Sequence, residues 1–540
     1  MLKNKISIIP KPVSMILGEG NFTITEQTVI ESDPKLIEVA TYFRDLILPA
    51  TGFNLEISKL KTDLTRSNTF YLKLNGELSN LSEEGYSLKI NPQTVVLSAS
   101  KPVGIFYGIQ TIRQLLPIEI EKKKESSDIE WIIPSIEIED YPRFSWRGYM
   151  LDEGRHFLGK EVVKQMVDLM TLFKLNMFHW HLTEDQGWRI EIKKYPLLTE
   201  VGSKRNTTQI GGFISKKTDN TPHKGYYTQD DIREIITYAD EHFIKVIPEI
   251  DMPGHSLAAL AAYPEFSCTG GPFEVQTTFG IKKDVYCIGK ESTFKFLFDV
   301  LDEIIELFPS EIIHIGGDEV PKKRWENCPE CQERIRLENL KDEKELQVYF
   351  TDRIKKYLSS RGRRLMGWNQ ILSDKSDKNI IGQYWMFKHD LVIDHLKRGG
   401  NIVFSKFGSA YLDYSYKSRS LSKAYGYEPV PKKLEKEYHD NILGIEAPLW
   451  TEWVRNVKEL DWQTFPRLIA IAETNWTPKE QKNLKSFINR LEYILKRLDI
   501  LGVHYAKKEE YQPNFFKRLF GFFTIFKEPK RSSLHQKKES

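Results

Sequence analysis

Two adjacent carboxylic acids, Asp318 and Glu319, end the segment HIGGDE that follows an apolar run. Neighbouring carboxylates repel each other and lose hydration on burial, so a purely structural role is disfavoured. Neighbouring side chains of a regular strand point to opposite faces, so both acids reach one pocket only if the strand ends there. Gly316 and Gly317 permit such a bend. We expect one pKa of the pair to rise, producing an acid that protonates a leaving oxygen near neutral pH.

Further polar residues follow other apolar runs. They are Asp152, Arg155, His179, His181, Glu249, Asp251, His255, Glu446 and Glu452. His179 and His181 could suggest metal ligands, but both side chains would point to one strand face as a buried, hydrogen-bonded pair. We therefore predict a structural role for the two histidines and no metal in the site.

Three tryptophans, Trp368, Trp385 and Trp450, each end a later apolar run. A single tryptophan in such a place usually belongs to the core. Three indole rings that converge at one rim are more typical of a pocket wall.

The apolar runs themselves predict eight strands. They span residues 147–152, 176–182, 245–251, 311–318, 363–368, 380–385, 401–406 and 442–450. Helical patterns fall between them, notably over 161–173, 229–242, 293–307 and 345–359. This alternation predicts a parallel (β/α)8 barrel, although an open doubly wound sheet would show the same rhythm. Polar residues at the C-terminal end of one strand after another favour the barrel.

The chain of 540 residues is long enough for more than one domain. Short β-rich runs mix with helical patterns over 36–48 and 103–116, and a charged, exposed loop is predicted at 122–128. We predict a small α/β domain over 1–142, a (β/α)8 catalytic barrel over 143–506 and a basic amphipathic tail over 507–540.

The tail contains the segment FFKRLFGFFTIFK at 515–527, which places phenylalanines on one helical face and basic residues beside it. A helix of this kind can bind weakly to an anionic membrane surface or pack on the protein itself, and we favour the second.

The formal net charge is only +3, so no overall field attracts nucleic acid, and we predict no nucleic-acid partner. No run of eighteen apolar residues is present. The N-terminus lacks the apolar region of a signal peptide. This predicts a cytoplasmic protein as the sequence stands, and a periplasmic or secreted one if the true start lies upstream.

Four cysteines are too few for a disulfide scaffold in a chain of this length. Cys268 and Cys287 flank a loop-like stretch, and Cys328 and Cys331 form a C-x-x-C pair. A structural zinc site commonly uses two such pairs, and no second one is present. We therefore predict no metal here.

Eight segments, in a fixed order along the chain, resemble one known enzyme family. The ordered segments are RGYMLDEGRHF, HWHLTEDQGW, PEIDMPGH, HIGGDE, GWNQ, QYW, YLDY and EAPLWTE. In this order they resemble glycoside hydrolase family 20, the β-N-acetylhexosaminidases, over about residues 144–505. The opening IIPKPV resembles the start of that family's small N-terminal domain.

The resemblance implies an exo-acting, retaining enzyme whose nucleophile is the substrate's own 2-acetamido oxygen, through an oxazolinium intermediate. It implies that Glu319 is the general acid and later the base, that Asp318 accepts the acetamido N–H, and that Tyr411 donates to the acetamido oxygen. No cofactor is implied.

The same resemblance implies further contacts with the sugar. Trp368, Trp385 and Trp450 would enclose the acetamido methyl group. The remaining positions are Arg155 and Glu452 at the C3 and C4 hydroxyls, Asp413 near O6, and Glu184 and His255 in support of the acid. Many members of the family have aspartate at position 184, which leaves the length of that hydrogen bond open.

The implied partners are oligosaccharides or glycoconjugates that end in β-linked GlcNAc or GalNAc. Three alternatives remain, namely a relative that releases a disaccharide, a catalytically silent sugar-binding protein, and a metallohydrolase. Some extracellular relatives have a disulfide where Cys268 and Cys287 lie. The sequence leaves open the linkage, the GlcNAc-to-GalNAc preference, the oligomeric state and the pairing of the cysteines.

Overall fold

The computed structural model describes residues 6–61, 63–514 and 516. The chain forms two compact units. The first contains the residues up to 145 together with 171–174 and 469–505, and the second contains 146–170, 175–468 and the residues from 506 onward. Within the described part of the chain, no helix has the length and apolar character needed to cross a bilayer.

The first unit is built on a seven-stranded mixed sheet. Its strands are β1 (Ser14–Thr23), β2 (Val29–Ser32), β3 (Glu56–Lys59), β4 (Thr69–Leu74), β5 (Tyr86–Ile90), β6 (Thr94–Ala99) and β7 (Ile132–Asp140). They lie in the order β1-β7-β5-β6-β4-β2-β3. The helices α1 (Ile37–Thr51) and α2 (Pro102–Leu115) confirm the predicted small α/β fold, and residues 122–128 form the expected loop.

The second unit is a closed barrel of eight parallel strands. They are β8 (Trp146–Asp152), β9 (Met177–His181), β10 (Lys245–Glu249), β11 (Ile312–His314), β12 (Arg364–Trp368), β13 (Ile381–Tyr384), β14 (Asn401–Phe404) and β15 (Ile442–Leu449). Each strand pairs with the next, and β15 pairs with β8. All eight predicted strands and the (β/α)8 barrel are confirmed, and the open sheet is excluded.

Helices follow most of the barrel strands. The longer ones are α3 (Lys160–Leu172), α4 (Gln229–Glu241), α5 (Glu291–Leu307), α6 (Pro329–Leu337), α7 (Glu343–Ser360), α8 (His389–Lys397) and α9 (Val457–Thr464). Most of α10 (Arg467–Trp476) and all of α11 (Leu484–Ile500) belong to the first unit. Short helices lie at Leu197–Glu200, Leu257–Ala262, Lys323–Glu326, Leu421–Tyr425 and Lys508–Tyr511. The four predicted barrel helices are confirmed. Local capping explains one boundary, because Thr228 and Asp231 form a reciprocal capping box at the start of α4.

The barrel interior changes from apolar to polar along its axis. Trp146, Ile247, Met366, Ile381 and Val403 form a buried apolar cluster inside it. The strand register then aligns four polar residues at the C-terminal ends of β8 to β11. Asp152 pairs with His181, His181 with Glu249, and Glu249 with His314. This end of a (β/α)8 barrel is where such proteins build active sites.

The predicted amphipathic segment 515–527 lies outside the described residues, apart from Phe516. Its contact with a membrane or with the protein stays a prediction, and so do the proposed domain limits.

Candidate active site

A network of buried hydrogen bonds forms the floor of the site. His179 Nδ1 lies 2.7 Å from Glu446 Oε1, and His181 Nδ1 lies 2.5 Å from Glu249 Oε2. His314 Nδ1 lies 2.9 Å from the other Glu249 oxygen. The prediction of a buried, hydrogen-bonded histidine pair is confirmed. Each of the three imidazoles is thus paired with a buried carboxylate, and these pairs connect the ends of neighbouring strands.

The two acids leave the barrel on a sharp turn. Strand β11 ends at His314, and Gly316 and Gly317 then have φ values of 65° and 87°. A Cβ on Gly316 would lie 1.9 Å from Asp251 Oδ1, so a larger residue would displace that carboxylate. The N–H of Gly317 donates to the same oxygen at 3.3 Å. The predicted bend is therefore present, and Asp251 stabilises it.

Asp318 is partly buried, and its Oδ1 atom is buried without a hydrogen-bond partner among the described residues. Burial raises the pKa of Asp318 to about 7; the neighbouring His255 opposes this shift, and the negative charge of Glu319 adds to it. Hence one pKa of the pair does rise, but it is that of Asp318, which the resemblance assigns to the acetamido N–H. The expectation that the raised pKa marks the acid that protonates the leaving oxygen was therefore wrong, because the rise follows burial of Asp318. An unpaired buried acceptor is costly unless a ligand supplies the donor.

Glu319 has a left-handed backbone, with φ at 49°, and its side chain is 32% exposed. Its Oε2 atom lies 3.8 Å from Nε2 of His255, whose Nδ1 lies 2.7 Å from Glu184 Oε1. Burial is the largest single effect and disfavours the imidazolium, but Glu184, Asp185 and Asp251 together outweigh it and raise the pKa of His255 well above its usual range. A protonated His255 therefore has one N–H for Glu184 and one directed toward Glu319.

Glu184 joins this relay to a buried arginine. Its Oε2 atom lies 2.9 Å from Arg155 Nη2 and 3.3 Å from His181 Nε2. Although burial opposes ionisation, Arg155 and His255 hold the pKa of Glu184 well below its usual range. The extra methylene of glutamate at this position still allows a short hydrogen bond to His255, which answers the question that the sequence left open.

Asp152 orients the segment that carries Arg155. Asp152 Oδ1 accepts the backbone N–H of Arg155 at 3.2 Å, and Oδ2 accepts the backbone N–H of Thr451 at 2.9 Å. The Arg155 guanidinium lies 4.8 Å from the ring centre of Trp450. Asp152 thereby fixes the chain segments of Arg155 and Glu452, because Thr451 precedes Glu452.

Aromatic rings cluster at the C-terminal ends of the barrel strands. Trp368, Trp385 and Tyr411 form one apolar cluster with Met150, and Trp450 packs against it. The ring centres of Trp368 and Trp450 are 5.6 Å apart, and those of Trp385 and Tyr411 are 6.2 Å apart. The predicted convergence of the three tryptophans is confirmed.

The last of the sequence-predicted positions, Asp413, is buried, and its Oδ1 atom has no hydrogen-bond partner in the described part of the chain. Burial, with the nearby negative charge of Glu452, raises the pKa of Asp413 well above its usual range. Among the sugar-contacting positions that the resemblance implies, two described residues therefore have a buried, unpaired carboxylate oxygen, namely Asp318 and Asp413.

Comparison with known proteins decides the family. The model of the glycosyl hydrolase family 20 catalytic domain matches residues 144–479, and that of the family's domain 2 matches residues 5–141. The chain belongs to glycosyl hydrolase family 20. It is a glycoside hydrolase of the β-hexosaminidase type.

Relatives and solved structures agree with this family. A β-hexosaminidase of Porphyromonas gingivalis is 40% identical over 512 residues, which are 93% of this chain and 64% of that protein. A β-hexosaminidase of Akkermansia muciniphila is 34% identical, covering 82% of this chain and 90% of that protein. The family 20 β-N-acetylhexosaminidase of Streptomyces coelicolor superposes with a TM-score of 0.81 at 30% identity, covering 94% of this chain and 98% of that one. The family 20 enzyme of Vibrio harveyi in complex with N-acetylglucosamine also has a TM-score of 0.81, at 31% identity, covering 93% and 78%.

Sequence reasoning missed two functions in this family 20 site. Asp251 holds the Gly316–Gly317 turn, and Asp152 holds the segments of Arg155 and Thr451. Both residues stood out as polar strand ends, but no sequence pattern names their hydrogen-bond partners.

The sequence-based view of the cysteines was wrong in one respect. Cys328 and Cys331 do have a second pair, because Cys268 and Cys287 lie beside them in the fold. None of the four forms a disulfide in the structure. Spacing along the chain hides this cluster, since the first two residues are not in a C-x-x-C pattern.

Proposed function

We propose that the protein is an exo-acting, retaining β-N-acetylhexosaminidase that removes terminal β-linked GlcNAc or GalNAc by substrate-assisted catalysis. The observation that carries this proposal is the buried, unpaired Oδ1 atom of Asp318, whose carboxylate interacts with Tyr411 of the aromatic cluster. An acetamido group fits such a place, because its N–H can donate to Asp318 while its methyl group packs on indole rings.

The acetamido side would supply the nucleophile. Asp318 accepts the N–H and Tyr411 donates to the carbonyl oxygen, which is thereby aimed at C1 of the sugar. Attack forms the C1–O bond of an oxazolinium as the glycosidic C–O bond breaks. The ionised Asp318 then stabilises the positive charge on the ring nitrogen.

The leaving-group side would supply the proton. Glu319 is the partly exposed acid of the pair, so it can reach an aglycone that extends into solvent. In the first step Glu319 protonates the leaving oxygen, and in the second it removes a proton from the water that attacks C1. Glu184 and His255 act as positioning residues, because their hydrogen-bonded pair ends 3.8 Å from Glu319.

The closed end of the site would hold the hydroxyl groups of one sugar. Arg155 offers guanidinium donors, and Glu452 and Asp413 offer carboxylate oxygens. Three such groups beside an aromatic wall fit a non-reducing terminal sugar better than an internal one, which supports exo action.

The test is hydrolysis of paired aryl β-glycosides that differ only at C2. The N-acetylglucosaminide should be hydrolysed with the β-anomer released first, as NMR at early times would record, and the 2-hydroxy glucoside should be inert. Release of the α-anomer first, or equal rates on both glycosides, would contradict the proposal.

Two further measurements address the alternatives. Sugar binding without turnover in folded protein would leave a silent sugar-binding role, and preferred release of disaccharides from the non-reducing end would replace exo action on single sugars. The expected results are turnover and monosaccharide release.

A further inference from the structure

All four cysteines of the chain meet at one point in the barrel unit. The Sγ atom of Cys287 lies 3.6 Å from that of Cys328 and 3.6 Å from that of Cys331, and Cys268 Sγ lies 3.8 Å from Cys331 Sγ. All four sulfur atoms are within 4.8 Å of one another. The two pairs come from loops that follow different strands, β10 and β11.

These separations match the edges of a metal–thiolate tetrahedron. With a Zn–S bond of about 2.3 Å, tetrahedral geometry places neighbouring sulfur atoms about 3.8 Å apart. A disulfide needs a separation of about 2.05 Å, and the four residues are free thiols in the structure. The cluster therefore has the dimensions of a tetrathiolate site without a bonded pair.

The donor set also selects the kind of metal. Four thiolates in a tetrahedron are typical of zinc or iron–sulfur chemistry. In a [4Fe–4S] cluster each cysteine binds a different iron atom, and in a [2Fe–2S] cluster two cysteines bind each of the two irons. Both arrangements require some of the cysteine sulfur atoms to lie farther apart than these. A single ion fits, and four protein ligands leave no coordination position for water or substrate, as in structural sites.

The surroundings favour thiolates that are shielded from solvent. Cys287, Cys328 and Cys331 are buried and Cys268 is partly buried. Cys328 precedes α6 and Cys331 lies in its first turn, where the helix dipole stabilises negative charge. On the other loop, the Lys290 ammonium group donates to the carbonyl of Ser267, next to Cys268.

We infer that Cys268, Cys287, Cys328 and Cys331 bind one Zn²⁺ ion as a structural site. Each thiol loses its proton as its sulfur binds, so one Zn²⁺ ion displaces four protons and the site carries a net charge of −2. The thiol of Cys328 donates to Glu330 Oε2 at 3.2 Å, and metal binding replaces this proton.

The ion would connect the two loops on the acid side of the active site. Tyr286, next to Cys287, donates its N–H to the carbonyl of Pro253 at 3.0 Å, two residues from His255. Trp325, which follows the acid pair in the chain, donates its indole N–H to the carbonyl of Tyr286 at 2.9 Å. Zinc would thus fasten the segment after Glu319 to the segment that carries His255.

The test begins with the unmodified full chain, purified under reducing conditions without chelator. Elemental analysis should find one zinc ion per chain, and X-ray absorption at the zinc edge should show four sulfur neighbours at about 2.3 Å. Nitrogen or oxygen neighbours, iron in place of zinc, or four free thiols that stay metal-free in added zinc would each overturn the assignment. A disulfide between any of the four would also overturn it.

Variants locate the site and separate it from catalysis. The double variant Cys328→Ser, Cys331→Ser should lose the zinc and melt at a lower temperature, whereas Glu330→Gln keeps all four thiolates and should retain the ion. If the double variant does not fold, thiol titration of the unmodified chain decides: the thiols should react only after chelation, and immediate reaction would contradict the site. Asp318→Asn should bind zinc fully, so loss of activity and loss of zinc remain distinguishable.

Discussion

Asp318 and Glu319 are neighbours in the chain, but their carboxyl groups face different regions. The Asp318 side is enclosed: its carboxylate interacts electrostatically with Tyr411, which clusters with Trp368 and Trp385, and its Oδ1 atom is buried without a partner in the described part of the chain. The Glu319 side is open to solvent, and a histidine lies 3.8 Å away. Burial acts on the first acid and raises its pKa to about 7, whereas the second acid is placed by a relay of polar side chains.

Two acids that are neighbours in the chain reach the same site, but their different surroundings in the fold suit them to different chemical roles. An enclosed carboxylate suits a charge that stays within one sugar, and an exposed one suits proton exchange with an aglycone or water. The proposed mechanism requires this separation, so variants that act on one side should leave a signature different from those that act on the other.

The largest expected loss of activity follows a change at Glu319, on the side that is open to solvent. Glu319→Gln should lower kcat/KM for substrates with poor leaving groups by about a hundredfold to ten-thousandfold, because proton donation is removed. Activated aryl substrates should lose far less, because their leaving groups need no proton. Steady-state rates over a series of aryl leaving groups measure this, with Glu326→Gln, an exposed residue nearby, as the control. Equal losses across the series would remove Glu319 from the acid role.

A change at Asp318, on the enclosed side, should slow hydrolysis to a similar extent for every leaving group. Asp318→Asn should slow poor and activated substrates alike, by about a hundredfold to a thousandfold, because the acetamido nucleophile loses its charged acceptor. The same leaving-group series measures it, and Asp390→Asn at an exposed position is the matched control. A rate near that of the unmodified enzyme on activated substrates would contradict substrate assistance.

A smaller effect should come from shortening the relay that supports Glu319. Glu184→Asp withdraws the carboxylate from Arg155 and His255, to which it now lies within 2.9 Å and 2.7 Å. Misplacing these groups by about 1 Å should lower kcat/KM by about tenfold to a hundredfold. Glu200→Asp, on the surface, should be without effect. If the loss were the same for every leaving group, Glu184 would act through Arg155 rather than through the acid.

The pH profile should report the enclosed acid. The proposed reaction needs ionised Asp318, whose pKa is about 7. As pH falls through 7 the carboxylate becomes protonated and neutral, so kcat/KM should fall by about tenfold for each further pH unit. In Asp318→Asn this acid limb should be missing, since no proton can be taken up there. A limb that persists unchanged in the variant would assign it to another group.

Much of the molecule could be predicted from its residues in order. The eight barrel strands, the acid pair and the three pocket tryptophans were all identified, because apolar runs, turns and strand ends are local signals. Because the C-terminal ends of parallel strands share one rim of the barrel, the sequence also predicted that the polar residues at these ends lie close together.

Other features depended on contacts between residues far apart in sequence. The partner of Asp251 is a backbone N–H in the acid turn, and the partners of Asp152 lie on two separate segments. The four cysteines show this most clearly, because a C-x-x-C pair looks isolated until two loops bring a second pair within 4.8 Å.

The amino-acid sequence by itself determined the barrel and the pair of acids at the end of its fourth strand. Only the tertiary structure decided that the pKa of Asp318 is raised, because desolvation depends on how tightly the folded chain packs around a carboxyl group. The same holds for the thiol cluster. Ligand geometry depends on distances in space, and the spacing of cysteines along a chain does not specify them.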